Sequence, residues 1–227
     1  MLEPKVSSVM TAKVISVTPE TSFKDVVMVL FGNDIGAVPV IGPGGGIVGV
    51  VSEADVLPKQ EFHGGSDPVP HGAPRRRVRW YRAQGLCAAE VMTAPVATIG
   101  PDEPVAVAAR RLAEEGVRRL FVADGGELVG VVSRRDILGM FLRPDEEIRA
   151  AVEDAVLRGE LGLAPGTVRV SVEAGVVAVA GELAKRSETG LVTHLIRGVP
   201  GVVSVRSELT YRTDDLEPVG MWTGFSP

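Results

Sequence analysis

Of the 227 residues, 45% are hydrophobic, 23% are charged, only 4% are aromatic and 38 are valine, with a formal net charge of −5. This composition excludes a disordered polyelectrolyte and supplies apolar material for one or two cored domains containing sheet. One cysteine excludes a disulfide framework and a cysteine-based zinc site, and three histidines leave little for any other metal centre.

The chain starts Met1-Leu2-Glu3-Pro4-Lys5, without the apolar core of a secretory signal. No apolar run approaches the roughly 20 residues that span a bilayer. A cytoplasmic protein is the expectation.

The chain repeats itself. Val9-Met10-Thr11-Ala12 returns as Val91-Met92-Thr93-Ala94, and Ile47-Val48-Gly49-Val50-Val51-Ser52 returns as Leu128-Val129-Gly130-Val131-Val132-Ser133. Asp55 follows the first stretch and Asp136 the second. The offset falls from 82 to 81 residues where Pro43-Gly44-Gly45-Gly46 shortens to Gly125-Gly126-Glu127, a loss that a turn tolerates.

In chain order, each copy predicts a short strand (Val14 to Val17; Val96 to Ile99), then a helix (Thr21 to Asn33; Glu103 to Glu115). Thr21 and Asp102 are the expected N-caps. Two strands joined by a glycine turn follow (Ala37 to Ile41 and Gly46 to Val51; Arg119 to Ala123 and Glu127 to Val132). A second helix begins after Ser52 and after Ser133. Each unit reads β-α-β-β-α. It buries little by itself, so two copies are expected to associate.

Between the copies, Pro58 to Cys87 carries six basic and two acidic residues. Its run Arg75-Arg76-Arg77-Val78-Arg79-Trp80-Tyr81-Arg82 has the residue types that contact phosphates and stack on bases. The competing and better supported reading is a connector that packs Trp80 and sets its arginines near acidic surface.

From Asp145 the chain carries thirteen acidic and eight basic residues. Asp145 to Leu161 predicts an amphipathic helix with Ile148, Val152, Ala155 and Val156 inward and Asp145 as cap. Val168, Val170 and Val172 alternate with polar residues as a strand. Ala174-Gly175 turns into a strand from Val176 to Gly181, followed by a helix from Ser187 to Arg197 and a strand from Val203 to Leu209. The order is α-β-β-α-β. Beyond Thr213 no periodicity is visible, and a mobile tail is expected.

The repeat resembles a pair of cystathionine-β-synthase-type (CBS) domains. The likeness rests on the two Val-Met-Thr starts, on Pro39-Val40 and on the Gly-Val-Val-Ser stretches leading to Asp55 and Asp136. The last third resembles a BON domain, through Val170 and Val172, Gly175-Val176-Val177, Gly181, and Val199-Pro200-Gly201-Val202-Val203 with Val205. The expected fold class is therefore α/β (α+β), with two β-α-β-β-α repeats as a pseudo-symmetric pair plus a small αββαβ domain. The expected divisions are 1–57 for the first CBS repeat, 58–87 for the basic insert, 88–143 for the second repeat, 144–213 for the BON domain and 214–227 for the tail.

The resemblance implies a regulatory ligand, AMP, ADP, ATP or S-adenosylmethionine, held in clefts between the repeats, with no cofactor required. It also implies a homodimer formed through the CBS repeats, and a BON domain that touches a protein or phospholipid partner. In Ser133-Arg134-Arg135-Asp136 the residues themselves allow a plain capping box. They equally allow a site in which Asp136 accepts ribose hydroxyls, Ser133 and the helix amides meet phosphate, and Arg134 and Arg135 neutralise it.

In the first copy Ser52 and Asp55 are kept, but Glu53-Ala54 replaces the arginines. The two clefts should therefore differ, the Asp55 cleft being weak or suited to a neutral adenosyl group. By analogy adenine lies near Val14 and Ile15 or near Val96 and Ala97, and at Ile35 to Val38 or Val117 to Leu120, although core packing is the stronger reading for any one valine. Arg118 and Arg119 read either as phosphate contacts or as an exposed strand start.

No Cys/His dyad, serine elbow or metal-ligand set is visible, so the expected role is non-enzymatic. The expectation is a cytoplasmic sensor, with the inner membrane face as a peripheral location. Two alternatives stand beside it: a ligand-free dimerising scaffold, and a nucleic-acid-associated regulator using Arg75 to Arg82, the least favoured of the three.

Overall fold

The protein, as a computed structural model, is described for residues 3–71 and 74–216. Helices and strands are mixed throughout, and the chain divides into two compact units, residues 5–134 and residues 135–227 with 1–4.

In the first unit, helix α1 (Phe23–Gly32) precedes the hairpin β1 (Ala37–Ile41) and β2 (Ile47–Ser52). The short helices α2 (Glu53–Val56) and α3 (Pro58–Glu61) follow, and then α4 (Pro74–Gln84) and α5 (Ala88–Val91). The second copy supplies β3 (Thr98–Ile99), α6 (Val105–Glu114), β4 (Arg119–Asp124) and β5 (Glu127–Ser133). Helix α7 (Arg134–Gly139) starts directly after β5, and all but its first residue belongs to the second unit.

β1 and β2 pair antiparallel, as do β4 and β5, and β3 lies parallel to β4. Both hairpins carry a register shift at the same place, between Val40 and Ile41 and between Val122 and Ala123. The duplication thus extends to backbone irregularities.

Several local expectations need correction. Val14 to Val17 forms no strand of its own; only Val17 bridges, in parallel, to Val40. The matching strand shrinks to Thr98–Ile99. Ser22, not Thr21, caps α1, its hydroxyl accepting from the Asp25 amide, while Thr21 bonds back to the Thr18 amide. Pro104 stands at the N-cap of α6, and Asp102 instead takes a 2.8 Å bond from Lys5.

The two copies exchange their starting segments. Thr11 bridges to Val131 of the second hairpin, and Thr93 bridges to Val50 of the first. The Phe23 amide donates to Leu86 and the Ala88 amide to Thr21, while the Val6 amide donates to Glu103. The core of the first copy, built on Val26, Leu30, Val38, Val40 and Val51, is accordingly completed by Ala88 and Val91 from the start of the second.

The exchange explains the repeated glycine. Gly49 lies under Met92 and Gly130 under Met10, and a β-carbon at either position would collide with the methionine sulfur. Each Val-Met-Thr motif thus requires the Gly-Val-Val-Ser motif of the other copy.

In the second unit, α8 (Asp145–Ala151) continues as a wider π-helical stretch, Val152–Glu160. Strands β6 (Val168–Glu173) and β7 (Val176–Lys185), helix α9 (Arg186–Arg197) and β8 (Ser204–Thr213) follow. The sheet order is β6-β7-β8, antiparallel and then parallel. Ile148, Val152 and Val156 from the helix, Val177, Val179 and Leu183 from β7, and Val192 and Ile196 from α9 form its core.

Pro144, not Asp145, stands at the N-cap of α8. The Asp145 carboxylate accepts from the Ala174 and Gly175 amides at 2.7 and 2.8 Å, clamping the β6–β7 turn. Both turn residues have positive φ, as a tight hairpin requires. At the end of β8, Asp214 accepts from Arg186, and Asp215 from the Ser187 amide and hydroxyl. The rest of the expected tail, from residue 217, lies outside the described residues.

Candidate ligand clefts of the repeat pair

The Asp55 carboxylate is engaged by the protein itself. Asp55 is 6% exposed and sits at the third position of α2. Its Oδ2 accepts from the Ser52 amide at 2.9 Å and from the Ser52 hydroxyl, completing a capping box. Its Oδ1 accepts from the Arg82 guanidinium at 2.5 Å and from the Thr93 hydroxyl at 2.8 Å. Three segments therefore converge on one carboxylate: the first copy, the basic insert and the exchanged start of the second copy.

Arg82 arrives on an ordered element. The arginine run forms α4, which turns Ala83 inward and is tied to the start of the insert. Arg79 pairs with Glu61, the Arg76 guanidinium lies 5.8 Å from the Phe62 ring centre, and the Trp80 indole donates to the Asp67 carbonyl at 2.7 Å. The expected packing role of Trp80 takes this form, with Tyr81 edge-on to it. Sequence reasoning missed Arg82 as a partner of Asp55. The duplicated threonine of Val-Met-Thr was a visible signal for Thr93.

In the second copy, Ser133 closes β5 half-buried, and Asp136 lies half-buried in the first turn of α7, with Arg134 and Arg135 exposed beside it. Arg134 is not aimed outward. Its guanidinium donates to the carbonyls of Leu112 and Val117 at 3.1 and 3.3 Å, capping the end of α6. Arg118 is exposed and Val117 half-buried. Arg119 reaches across to the first copy, donating to the Ala37 carbonyl at 3.2 Å. Its guanidinium and the Glu53 carboxylate converge on Gly36. Glu53 thus stands beside a cation.

A cleft of about 630 Å³ opens between the copies. It is lined by Ile47 and Val48 of β2, by Ala94, Pro95, Val96 and Thr98, and by Ala123 and Gly126 of the second hairpin. Of the residues expected around adenine, Val96 lines it; Ala97 lies half-buried beside it in sequence, and Val14 is half-buried elsewhere in the same unit.

The CBS domain model matches residues 6–60 and 88–143, and the BON domain model matches residues 144–213. The chain carries a CBS domain pair followed by a BON domain. The stretch left between the two CBS matches, residues 61–87, contains α4.

Two curated proteins are similar to part of this chain. The uncharacterized protein MJ1404 of Methanocaldococcus jannaschii is 31% identical over 147 residues, covering 61% of this chain. The uncharacterized protein MK0525 of Methanopyrus kandleri is 25% identical over 139 residues, again 61% of this chain. The match spans 32% of the first relative's length and 63% of the second's. Among solved structures, CBSX2 in complex with AMP is 28% identical with a TM-score of 0.53, covering 61% of this chain and 96% of that one.

In the BON domain, a concavity of about 930 Å³ runs from the π-helical stretch across the outer sheet face. Arg158, Arg169 and Arg206 line it together with Glu153 and Glu208, over an apolar floor that includes Leu157, Leu163 and Ala178. Among the described residues no group of three or more His, Cys, Asp or Glu side chains is placed to hold a metal ion, and no helix is long and apolar enough to cross a membrane.

Proposed function

We propose that this protein is a non-enzymatic regulator whose CBS pair binds one adenosine-containing ligand, on the side of the second copy's Ser133–Asp136 segment. The residues beside the two aspartates carry the proposal: Arg134-Arg135 precede Asp136, whereas Glu53-Ala54 precede Asp55. Ser133 and Asp136 are the residues assigned to the ligand, with Arg135 facing its phosphate. Arg118 is a further phosphate contact. Arg134 and Arg119 serve by fixing α6 and the neighbouring copy, and Val96, Ala97 and Val117 supply apolar contact to the base. The similarity to CBSX2, solved with AMP, supports this choice of ligand class.

The BON domain supplies the contact to a partner. Its region of the sequence is net acidic, and its concavity mixes both charges. Both features favour a protein over an anionic lipid surface. We place the protein in the cytoplasm as a homodimer.

A thermal-shift series with AMP, ATP and S-adenosylmethionine tests the reading. A ligand of the folded state raises stability with concentration, by about 2.7 kcal/mol at 100 times its Kd. A melting temperature that stays constant with all three overturns it in favour of a scaffold.

A further inference from the structure

We propose that β8 is a self-complementary edge along which the BON domain of a second copy of this chain pairs, antiparallel and centred on Ser207. The sheet order places β8 at an edge, and it is ten residues long. Its sequence from Ser204 to Thr213 contains neither proline nor lysine, the residues that commonly blunt such edges.

The strand reads the same from both sides of Ser207. With a two-fold axis through that residue, Arg206 of each copy falls opposite Glu208 of the other, Val205 opposite Leu209, and Ser204 opposite Thr210. One step beyond the strand start, Val203 falls opposite Tyr211, and these two are 60% and 42% exposed. Opposite charges, apolar groups and hydroxyls each meet their own kind of partner, and each interface contains every pair twice.

The register also keeps faces intact. Val205, Ser207, Leu209 and Tyr211 lie on the face that carries α9, Arg186 sitting over the Tyr211 ring, while exposed Arg206 and Glu208 lie on the other. Moving the axis to Arg206 or to Glu208 sets like charges directly opposite each other, so the charges select the Ser207 register. The product is one six-stranded sheet continuous across two BON domains.

Cysteine cross-linking of the full chain in a Cys87→Ser background tests this. At the axis the two Cα atoms lie about 4.5–5.5 Å apart in either kind of antiparallel pair, within disulfide range. Thr210 is displaced from its own copy by six positions, about 20 Å, and is out of range. Ser207→Cys should therefore give a disulfide-linked dimer on oxidation, at several times the yield of Thr210→Cys. Arg206→Glu should suppress that yield, and Arg206→Glu with Glu208→Arg should restore it. Equal yields at the two positions, a yield indifferent to Arg206→Glu, or a double exchange that fails to restore it overturns the proposal. A dimer formed through the CBS repeats alone does not reproduce this pattern.

Discussion

The Arg82 guanidinium donates to Asp55 Oδ1 at 2.5 Å, although 27 positions separate the two residues and they belong to segments of opposite charge. Arg82 is one of six basic residues in the insert, and Asp55 is the buried acid of the first copy. The pair makes the insert part of the first copy's structure and engages the buried Asp55 carboxylate. Truncating Arg82 leaves a buried carboxylate short of a charged partner. Arg82→Ala should destabilise the protein by about 1.5–3 kcal/mol. Thr93→Val should cost about 1 kcal/mol, as expected for one neutral donor. Because both donate to the same oxygen, the double variant should deviate from additivity. Urea midpoints of the three variants measure this; additive and negligible losses would mean that the network is not formed.

The exchange of Val-Met-Thr segments has its own signature. Gly49→Ala and Gly130→Ala each push a β-carbon into a methionine held by backbone pairing across the copies. Each should cost about 1–3 kcal/mol, the usual range for overpacking. Gly32→Ala, in the last turn of α1 with open space around it, should instead stabilise by about 0.4–1 kcal/mol through the unfolded chain. Thermal melts of the three single variants give the comparison, and equal effects at Gly32 and Gly49 would refute the exchanged packing.

One carboxylate predicts a pH dependence. The Leu86 amide, and then the Cys87 amide, donate to Glu90 and hold its pKa below the ordinary 4.5. A depressed folded-state pKa means that the stabilisation is fully present above the unfolded value and is lost as pH falls through the folded one. Glu90→Gln should therefore flatten the decline in stability below about pH 4.5 and leave its shape unchanged near neutrality. Denaturant midpoints collected from pH 3 to 7 on both proteins test the difference; identical slopes in acid would count against it.

Much of the architecture was legible in the chain. The hairpin strands and the αββαβ order followed from valine alternation and glycine turns, because period two and the turn residues are local signals. The caps were less legible. Ser22 and Thr21 are adjacent and chemically alike, and Asp145 found two turn amides 29 and 30 positions away in place of its own helix. The expected strand at Val14 reduces to a single bridge, since only Val17 meets a partner there.

At the candidate site, the duplicated Ser-x-x-Asp motif was readable, and the contrast between Glu53-Ala54 and Arg134-Arg135 pointed to unequal clefts. The partners of Asp55 were not readable. Arg82 reaches Asp55 only because α4 folds back along α3, a tertiary fact with no local trace. The arginine run resembled a phosphate-binding stripe because charge alone does not reveal that Arg76, Arg79 and Arg82 have partners within the chain.

Titration calorimetry of the full chain with AMP tests the central claim most directly. The account predicts one adenosyl site per chain, retained in Arg82→Ala and reduced at least tenfold in affinity by Asp136→Ala, about 1.4 kcal/mol. Two equivalent sites per chain, or AMP binding that survives Asp136→Ala unchanged, would contradict it.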